Sequence, residues 1–193
     1  MARNARSPLR RLLAIDLVRE AAPACAEVQG RVDRCRRLLA YARAAGWAVS
    51  HVYPRGGRPA AGVEPLLSES IYYRAGQSPF ANRALKRSVR VGAERELVIM
   101  ALSLSSAVLS AALSAHDLGV AVTLVGDTLQ SGDDSAASLE AIETITHALE
   151  APFVHVEAID QLIDSRRGLH LVGRDDETRV DTAPVVAKPH DAA

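Results

Sequence analysis

The chain has 193 residues, of which 48% are hydrophobic and 24% charged, a size and composition typical of one globular α/β domain. Positive and negative side chains balance at 23 each, so there is no net basic field to concentrate nucleic acid, and we expect no nucleic-acid partner. With only two cysteines, Cys25 and Cys35, a disulfide scaffold is excluded.

The sequence contains no apolar run that approaches the length of a membrane span, so we expect no membrane partner. The basic N-terminal stretch MARNARSPLRR is followed by too few apolar residues to form a signal-peptide core. We therefore expect the protein to be cytoplasmic.

The first third of the chain alternates between strand-like and helical patterns. An apolar run at 12–16 ends in an acid and predicts a buried parallel strand. Residues 29–45 predict a helix that ends at Gly46, and 47–53 predict a second strand. A loop rich in proline and glycine follows this strand.

The middle of the chain holds the most apolar strand. Residues 69–74 predict a short third strand, after which Ser78 is expected to cap a helix that starts at Pro79. The run at 96–102, which is apolar after Glu96, predicts a fourth strand in the centre of the sheet. A helix from about Ser105 to His116 is expected to follow it.

The remaining elements continue the alternation. Residues 120–127 predict a fifth strand, and an amphipathic helix with Asp133 or Asp134 near its cap comes next. A last strand and a short helix are expected within 153–164. Strands that alternate with helices favour a three-layer α/β/α sandwich around a mostly parallel, Rossmann-type sheet.

These patterns also divide the chain. We expect a short extension over 1–9, a single domain over 10–170 and a C-terminal tail over 171–193. The tail mixes proline, alanine and charged residues without periodicity.

The carboxyl ends of the predicted strands indicate where a ligand would bind. In an open parallel sheet, the ligand crevice lies outside these ends. Geometry alone therefore nominates Asp16, the loop after Tyr53, Arg74, the turn from Ser103 to Ala107, and Asp127.

Four stretches, in this order, resemble the isochorismatase-like hydrolase superfamily, also called the cysteine hydrolases. They are LLAIDLV, YYRAGQSPFANRAL, LVIMALSLSSAVLSAAL and GVAVTLVGDTLQSGDDSAASLEAIETI. The resemblance spans roughly the length of an ordinary single domain, about residues 10 to 165. It implies the same three-layer fold.

The resemblance also implies a catalytic triad of aspartate, lysine and cysteine, in which the thiolate attacks an amide or related carbon. Asp16 matches the aspartate, Arg74 stands where the lysine is expected, and Ala107 stands where the cysteine is expected. Since a methyl group cannot attack, Ala107 argues against thiol chemistry.

The turn before the predicted helix carries the other implied features of the pocket. Backbone N–H groups there would stabilise an oxyanion, in a pocket formed with Leu102, Ser103 and Ser106. By resemblance, a cis peptide bond is expected between Leu102 and Ser103. Neither Ser105 nor Ser106 is expected to replace the nucleophile, because a shift of one or two residues turns a side chain by about 100° or 200°.

Cofactors and metals are not expected. Nicotinamidase-type relatives use an Asp and His cluster after the second strand, where this chain offers His51 and then VYPRGGRP. The other histidines show no ligand spacing. The expected ligand is a small carboxylate or amide, and the resemblance implies a homo-oligomer.

Two functions follow from the sequence. The first is a non-catalytic member of the superfamily, a pseudoenzyme that serves as a binding or regulatory subunit. The second is a hydrolase that needs no nucleophile and cleaves a vinyl ether of the isochorismate type, with Asp16 as general acid and Arg74 as carboxylate clamp. The second function requires a protonated Asp16. The adjacent positive charge of Arg74 opposes this protonation.

Overall fold

The computed structural model describes residues 9–22, 25–129, 144, 147 and 154–164. The helix predicted near Asp133 or Asp134 and the tail over 171–193 lie outside this part of the chain. No helix in the described residues is both long enough and apolar enough to cross a membrane.

Six strands and three long helices follow one another in the described residues. The strands are β1 (Arg10–Ile15), β2 (Ala48–Pro54), β3 (Ser70–Arg74), β4 (Glu96–Ala101), β5 (Ala121–Val125) and β6 (His155–Glu157). The helices are α1 (Ala26–Ala44), α2 (Arg83–Val91) and α3 (Ser106–Asp117). Short 3-10 turns lie at Arg19–Ala21, Pro79–Ala81 and Gly126–Thr128.

All the strand pairs of the sheet are parallel, and their order is β3-β2-β1-β4-β5-β6. The strands β1 and β4 are central and pair along their whole length, from Arg10 opposite Glu96 to Ile15 opposite Ala101. The order reverses between these two strands, and their carboxyl ends therefore form the topological switch point of the sheet. This arrangement confirms the predicted α/β fold with a parallel sheet.

Side chains of β1 alternate between the two faces of the sheet and divide the core in two. Leu12 and Ala14 pack with the buried face of α1, while Leu13 and Ile15 pack with α2 and α3. Both faces are covered, which explains why β1 and β4 are apolar along almost their whole length. The two apolar clusters separate the three layers of the sandwich.

The start of α2 differs from the prediction. Ser78 precedes only the 3-10 turn at Pro79–Ala81, and its side chain makes no capping hydrogen bond. The cap of α2 is Asn82, whose Oδ1 accepts from the N–H groups of Ala84 and Leu85. Pro79 therefore starts a turn that precedes the helix, and the asparagine four residues after Ser78 satisfies the orphan donors.

Candidate functional site

A crevice of about 290 Å³ opens at the carboxyl ends of β1 and β4. Its wall combines strand ends, the turn after β4 and the segment after β1. The lining residues are Ile15, Asp16, Val18, Glu20, Ala21, Pro54, Arg74, Ala101, Leu102, Ser103 and Ser105. The crevice thus lies at the switch point, where a parallel sheet of this type places its ligands.

Asp16 turns the chain out of β1 at the floor of this crevice. Its backbone has φ of 52°, in the left-handed region, which aspartate enters more readily than most residues. Two hydrogen bonds hold this turn. The N–H of Asp16 donates to the Val52 carbonyl at 2.9 Å, and its own carbonyl accepts from the N–H of Val18 at 2.8 Å.

The carboxylate of Asp16 is gripped by the guanidinium of Arg74. Nη2 of Arg74 lies 2.7 Å from Oδ2, and Nε lies 3.1 Å from Oδ1 and 3.2 Å from Oδ2. The remaining nitrogen, Nη1, donates to the Gly76 carbonyl at 2.8 Å. The hydrogen bonds to Asp16 raise the pKa of Arg74 above its usual value. Both side chains are about four-fifths buried, so the pair is held in the wall of the crevice.

The turn between β4 and α3 forms the opposite wall. Leu102, Ser103 and Ser105 line the crevice there, and the N–H of Ser105 donates to the Ser103 carbonyl at 3.0 Å. Every peptide bond in the described residues is trans. The predicted cis bond between Leu102 and Ser103 is therefore wrong for this structure, which has the form that non-proline peptides favour by about 2.5–4 kcal/mol.

Ala107 lies in the first turn of α3 and is 1% exposed. Its methyl group belongs to the apolar cluster beneath α2 and α3, and it is not among the residues that line the crevice. The hydroxyl of Ser106 donates to Oε1 of Gln77, and that of Ser110 lies 3.2 Å from the Ala107 carbonyl. Both serine hydroxyls are thus engaged by neighbouring residues.

The sequence model of the isochorismatase domain matches residues 11–161. The chain belongs to the isochorismatase family. None of the curated proteins compared with it matches.

Solved structures show how widely this fold is used. An isochorismatase from Pseudomonas putida is 22% identical, with 78% of this chain and 88% of that chain covered at a TM-score of 0.67. An isochorismatase family protein from Desulfovibrio vulgaris is 21% identical, with coverage of 83% and 100% and a TM-score of 0.68. A ribonuclease from Caenorhabditis elegans is 12% identical, with coverage of 95% and 99% and a TM-score of 0.68. At these identities the likeness establishes the fold alone, and chemistry must be argued from the site.

Besides Ser106 and Ala107, two more residues that the sequence nominated are not among those that line the crevice of this family member. Tyr53 is 1% exposed, and its hydroxyl lies 3.2 Å from Nδ1 of His51. The carboxylate of Asp127 accepts the N–H of Ile159, with both oxygens at 3.3 Å. Neither is among the lining residues, because one faces a buried network and the other holds the chain after β6.

That buried network was missed from the sequence. Glu69, just before β3, accepts from Nε of Arg43 at 2.7 Å and from the Leu66 N–H at 2.9 Å, and its Oε2 lies 2.9 Å from Nε2 of His51. His51 is fully buried, and burial lowers its pKa despite the nearby carboxylate. The sequence signal was a histidine and a tyrosine two residues apart in an apolar strand, which lie on the same face of β2.

Neither cysteine is placed for catalysis. Cys35 is buried on α1 beside Thr128, and burial, together with the nearby charge of Asp127, raises the pKa of its thiol to about 12. Cys25 is exposed just before α1. Because the thiolate is the reactive form, Cys35 stays inert at neutral pH.

The described part of the chain contains no candidate metal site. No group of three or more His, Cys, Asp or Glu side chains there could hold a metal ion. The side chains of His51 and Glu69, which would be the natural metal ligands near β2, bind each other, and Glu69 also accepts from Arg43.

Proposed function

We propose that this protein is a non-catalytic member of the isochorismatase family that binds a small carboxylate or amide in the crevice at the carboxyl ends of β1 and β4. The observation that supports this most strongly is the Asp16–Arg74 pair. Three contacts of 2.7–3.2 Å join the two groups that would otherwise act on a substrate. With a methyl group at 107, no side chain at the nucleophile position can form a covalent intermediate.

The pairing also disfavours the alternative of vinyl-ether hydrolysis. That reaction would need a proton on Asp16 and a free edge of Arg74 to clamp a substrate carboxylate. In the described structure both carboxylate oxygens accept from Arg74, and Nη1 of Arg74 is taken by the Gly76 carbonyl. Asp16 thus occupies the Nε–Nη2 edge of Arg74, the edge that a substrate carboxylate would otherwise bind in a bidentate way.

Two hydroxyl groups remain for a ligand. Ser103 and Ser105 line the crevice, and neither side chain has a hydrogen-bonding partner within the described residues. A carboxylate or amide oxygen can accept from both hydroxyls, while the apolar wall of Ile15, Ala101 and Leu102 covers the rest of the ligand. The crevice volume suits a ligand of metabolite size.

The first prediction concerns these hydroxyls. With benzoate and benzamide as probes, the Ser103→Ala, Ser105→Ala double variant is expected to bind about fivefold to 150-fold more weakly, since each of the two lost hydrogen bonds contributes about 0.5–1.5 kcal/mol. Isothermal titration calorimetry measures the change, and Ser106→Ala is the matched control because its hydroxyl binds Gln77. Equal losses in both variants, or no binding of either probe to the parent chain, would rule out this ligand site.

We further propose, as part of the same function, that the chain forms a homo-oligomer through the edge of β3. Four exposed apolar side chains lie on β3 and in the loop before it, namely Leu66, Leu67, Ile71 and Tyr73. Together they offer on the order of 500 Å² per copy, near the lower limit for a stable interface when two copies meet. Sedimentation velocity of the full chain reports the oligomeric state.

A further inference from the structure

Helix α2 carries a concentration of unengaged positive charge. Seven cationic side chains in the described part of the chain have no ion pair or hydrogen-bonded partner there, and four of them lie within the nine residues of α2. These four are Arg83, Lys86, Arg87 and Arg90. All four are exposed, so the concentration is a feature of the surface.

The four cations form one stripe. At about 100° per residue they fall within an arc of about 100°, on the side of α2 opposite the buried Leu85 and Val89. From Arg83 to Arg90 the stripe extends about 10 Å along the helix axis. The fold therefore presents the stripe outward and keeps the apolar side of α2 in the core.

Within the described residues, no acid forms an ion pair with this stripe. The helix itself contains no acidic residue, and the first acid after it, Glu94, is paired with Arg11 at 3.2 Å. The next acid, Glu96, is paired with Arg10 at 2.6 Å. The charge on α2 is thus left for a group outside the described residues.

We infer that this stripe is a docking surface for an acidic helical segment of a partner protein. Arg83, Arg87 and Arg90 are spaced by four and three residues, which places them about 6 Å and 4.5 Å apart along the axis. Carboxylates at i, i+4 and i+7 of a second helix have the same spacing. Guanidinium groups bind such carboxylates in a bidentate way.

Other polyanions fit the stripe less well. A nucleic-acid backbone is bound through a longer track, about 6–10 phosphate contacts, and single strands need aromatic side chains for stacking, which α2 lacks. A membrane-surface helix inserts its apolar face into the lipid, whereas Leu85 and Val89 are 0% and 5% exposed. Of these anionic partners, a helix that pairs a few carboxylates with the cations of the stripe fits best.

The test uses the full chain and two synthetic peptides of identical composition, one with three glutamates at i, i+4 and i+7 and one with the same glutamates distributed around the helix. Fluorescence anisotropy at low salt is expected to show at least tenfold tighter binding of the aligned peptide. The Arg87→Gln, Arg90→Gln variant should lose at least tenfold of that affinity. The control variant Arg55→Gln, Arg58→Gln removes two exposed, unengaged cations elsewhere and should change it less than twofold.

Thermal unfolding of both variants checks that the fold is retained, as expected for substitutions on the surface. The inference is overturned if the two peptides bind equally, if neither binds, or if the control variant loses as much affinity. It is also overturned if a 12-base-pair DNA duplex or phosphatidylserine vesicles bind the parent chain more tightly than the aligned peptide and show the same dependence on Arg87 and Arg90.

Discussion

Replacing Glu69 by glutamine is expected to lower the stability of the fold by about 3 kcal/mol at neutral pH and to flatten its dependence on acid. Burial raises the pKa of Glu69, but hydrogen bonds from Arg43, the Leu66 N–H and His51 outweigh burial and lower the pKa from 4.5 to about 2. A shift of this size corresponds to about 3 kcal/mol of stabilisation of the folded state. The side chain is 6% exposed, so solvent screens these contacts little.

The sign of the pH dependence follows from the lowered pKa. The stabilisation is fully present above pH 4.5, where the carboxyl group is ionised in both states, and it is lost as the pH falls towards about 2. His51 acts in the same direction from about pH 6.5 downward, because its lowered pKa means that the unfolded chain binds the proton first. The parent chain should therefore lose stability steadily on the acid side.

Urea denaturation of the parent chain and of Glu69→Gln at several pH values between 2 and 7 measures this difference. Glu64→Gln is the matched control, since Glu64 is exposed on the same loop and its carboxylate accepts one backbone N–H, from Gly62. The control should unfold like the parent chain. If Glu69→Gln keeps the acid dependence of the parent chain, the network does not control stability as described.

The second large effect is a gain of thiol reactivity at residue 107. In a background of Cys25→Ser and Cys35→Ala, Ala107→Cys alone is expected to react slowly with iodoacetamide, because residue 107 is 1% exposed and Arg74 occupies both oxygens of Asp16. Adding Arg74→Lys replaces the several N–H donors of the guanidinium group by a single ammonium group. One oxygen of the Asp16 carboxylate is then free to accept the thiol proton. The alkylation rate should then rise about tenfold, equivalent to a thiol pKa lower by one unit.

A matched variant, Ala107→Cys with Arg34→Lys, controls for the general effect of lysine, since Arg34, on α1, donates to the Asp127 carbonyl and is not among the residues that line the crevice. Its alkylation rate should equal that of Ala107→Cys alone. If Ala107→Cys with Arg74→Lys reacts no faster than Ala107→Cys alone, or no faster than the Arg34→Lys control, the family's catalytic geometry does not survive around residue 107.

Much of the fold could be predicted because periodicity and strand apolarity are local signals. The central position of β4 followed from its sequence, which is apolar after Glu96, and the helix ends followed from glycines such as Gly46, which has φ of 70°. The capping of α2 by Asn82 instead of Ser78 was missed, since both residues are good caps and the choice depends on where the intervening turn packs.

The site could be predicted only in part. Strand ends and family resemblance both nominated Asp16 and Arg74, and these two residues meet. Tyr53 also ends a strand, but its side chain faces the same side as His51, and the network that receives it depends on Glu69, which is 16 residues further along the chain. Such pairings arise from tertiary packing and leave no periodic signal in the sequence.

The central claim is that no cysteine of this chain forms a covalent intermediate, and the Cys25→Ser, Cys35→Ala variant tests it most directly. Its steady-state rate on a panel of small amides and on isochorismate should equal that of the parent chain, with both indistinguishable from a heat-denatured blank. A parent chain that turns over any of these substrates, and loses that turnover in the cysteine-free variant, would contradict the account.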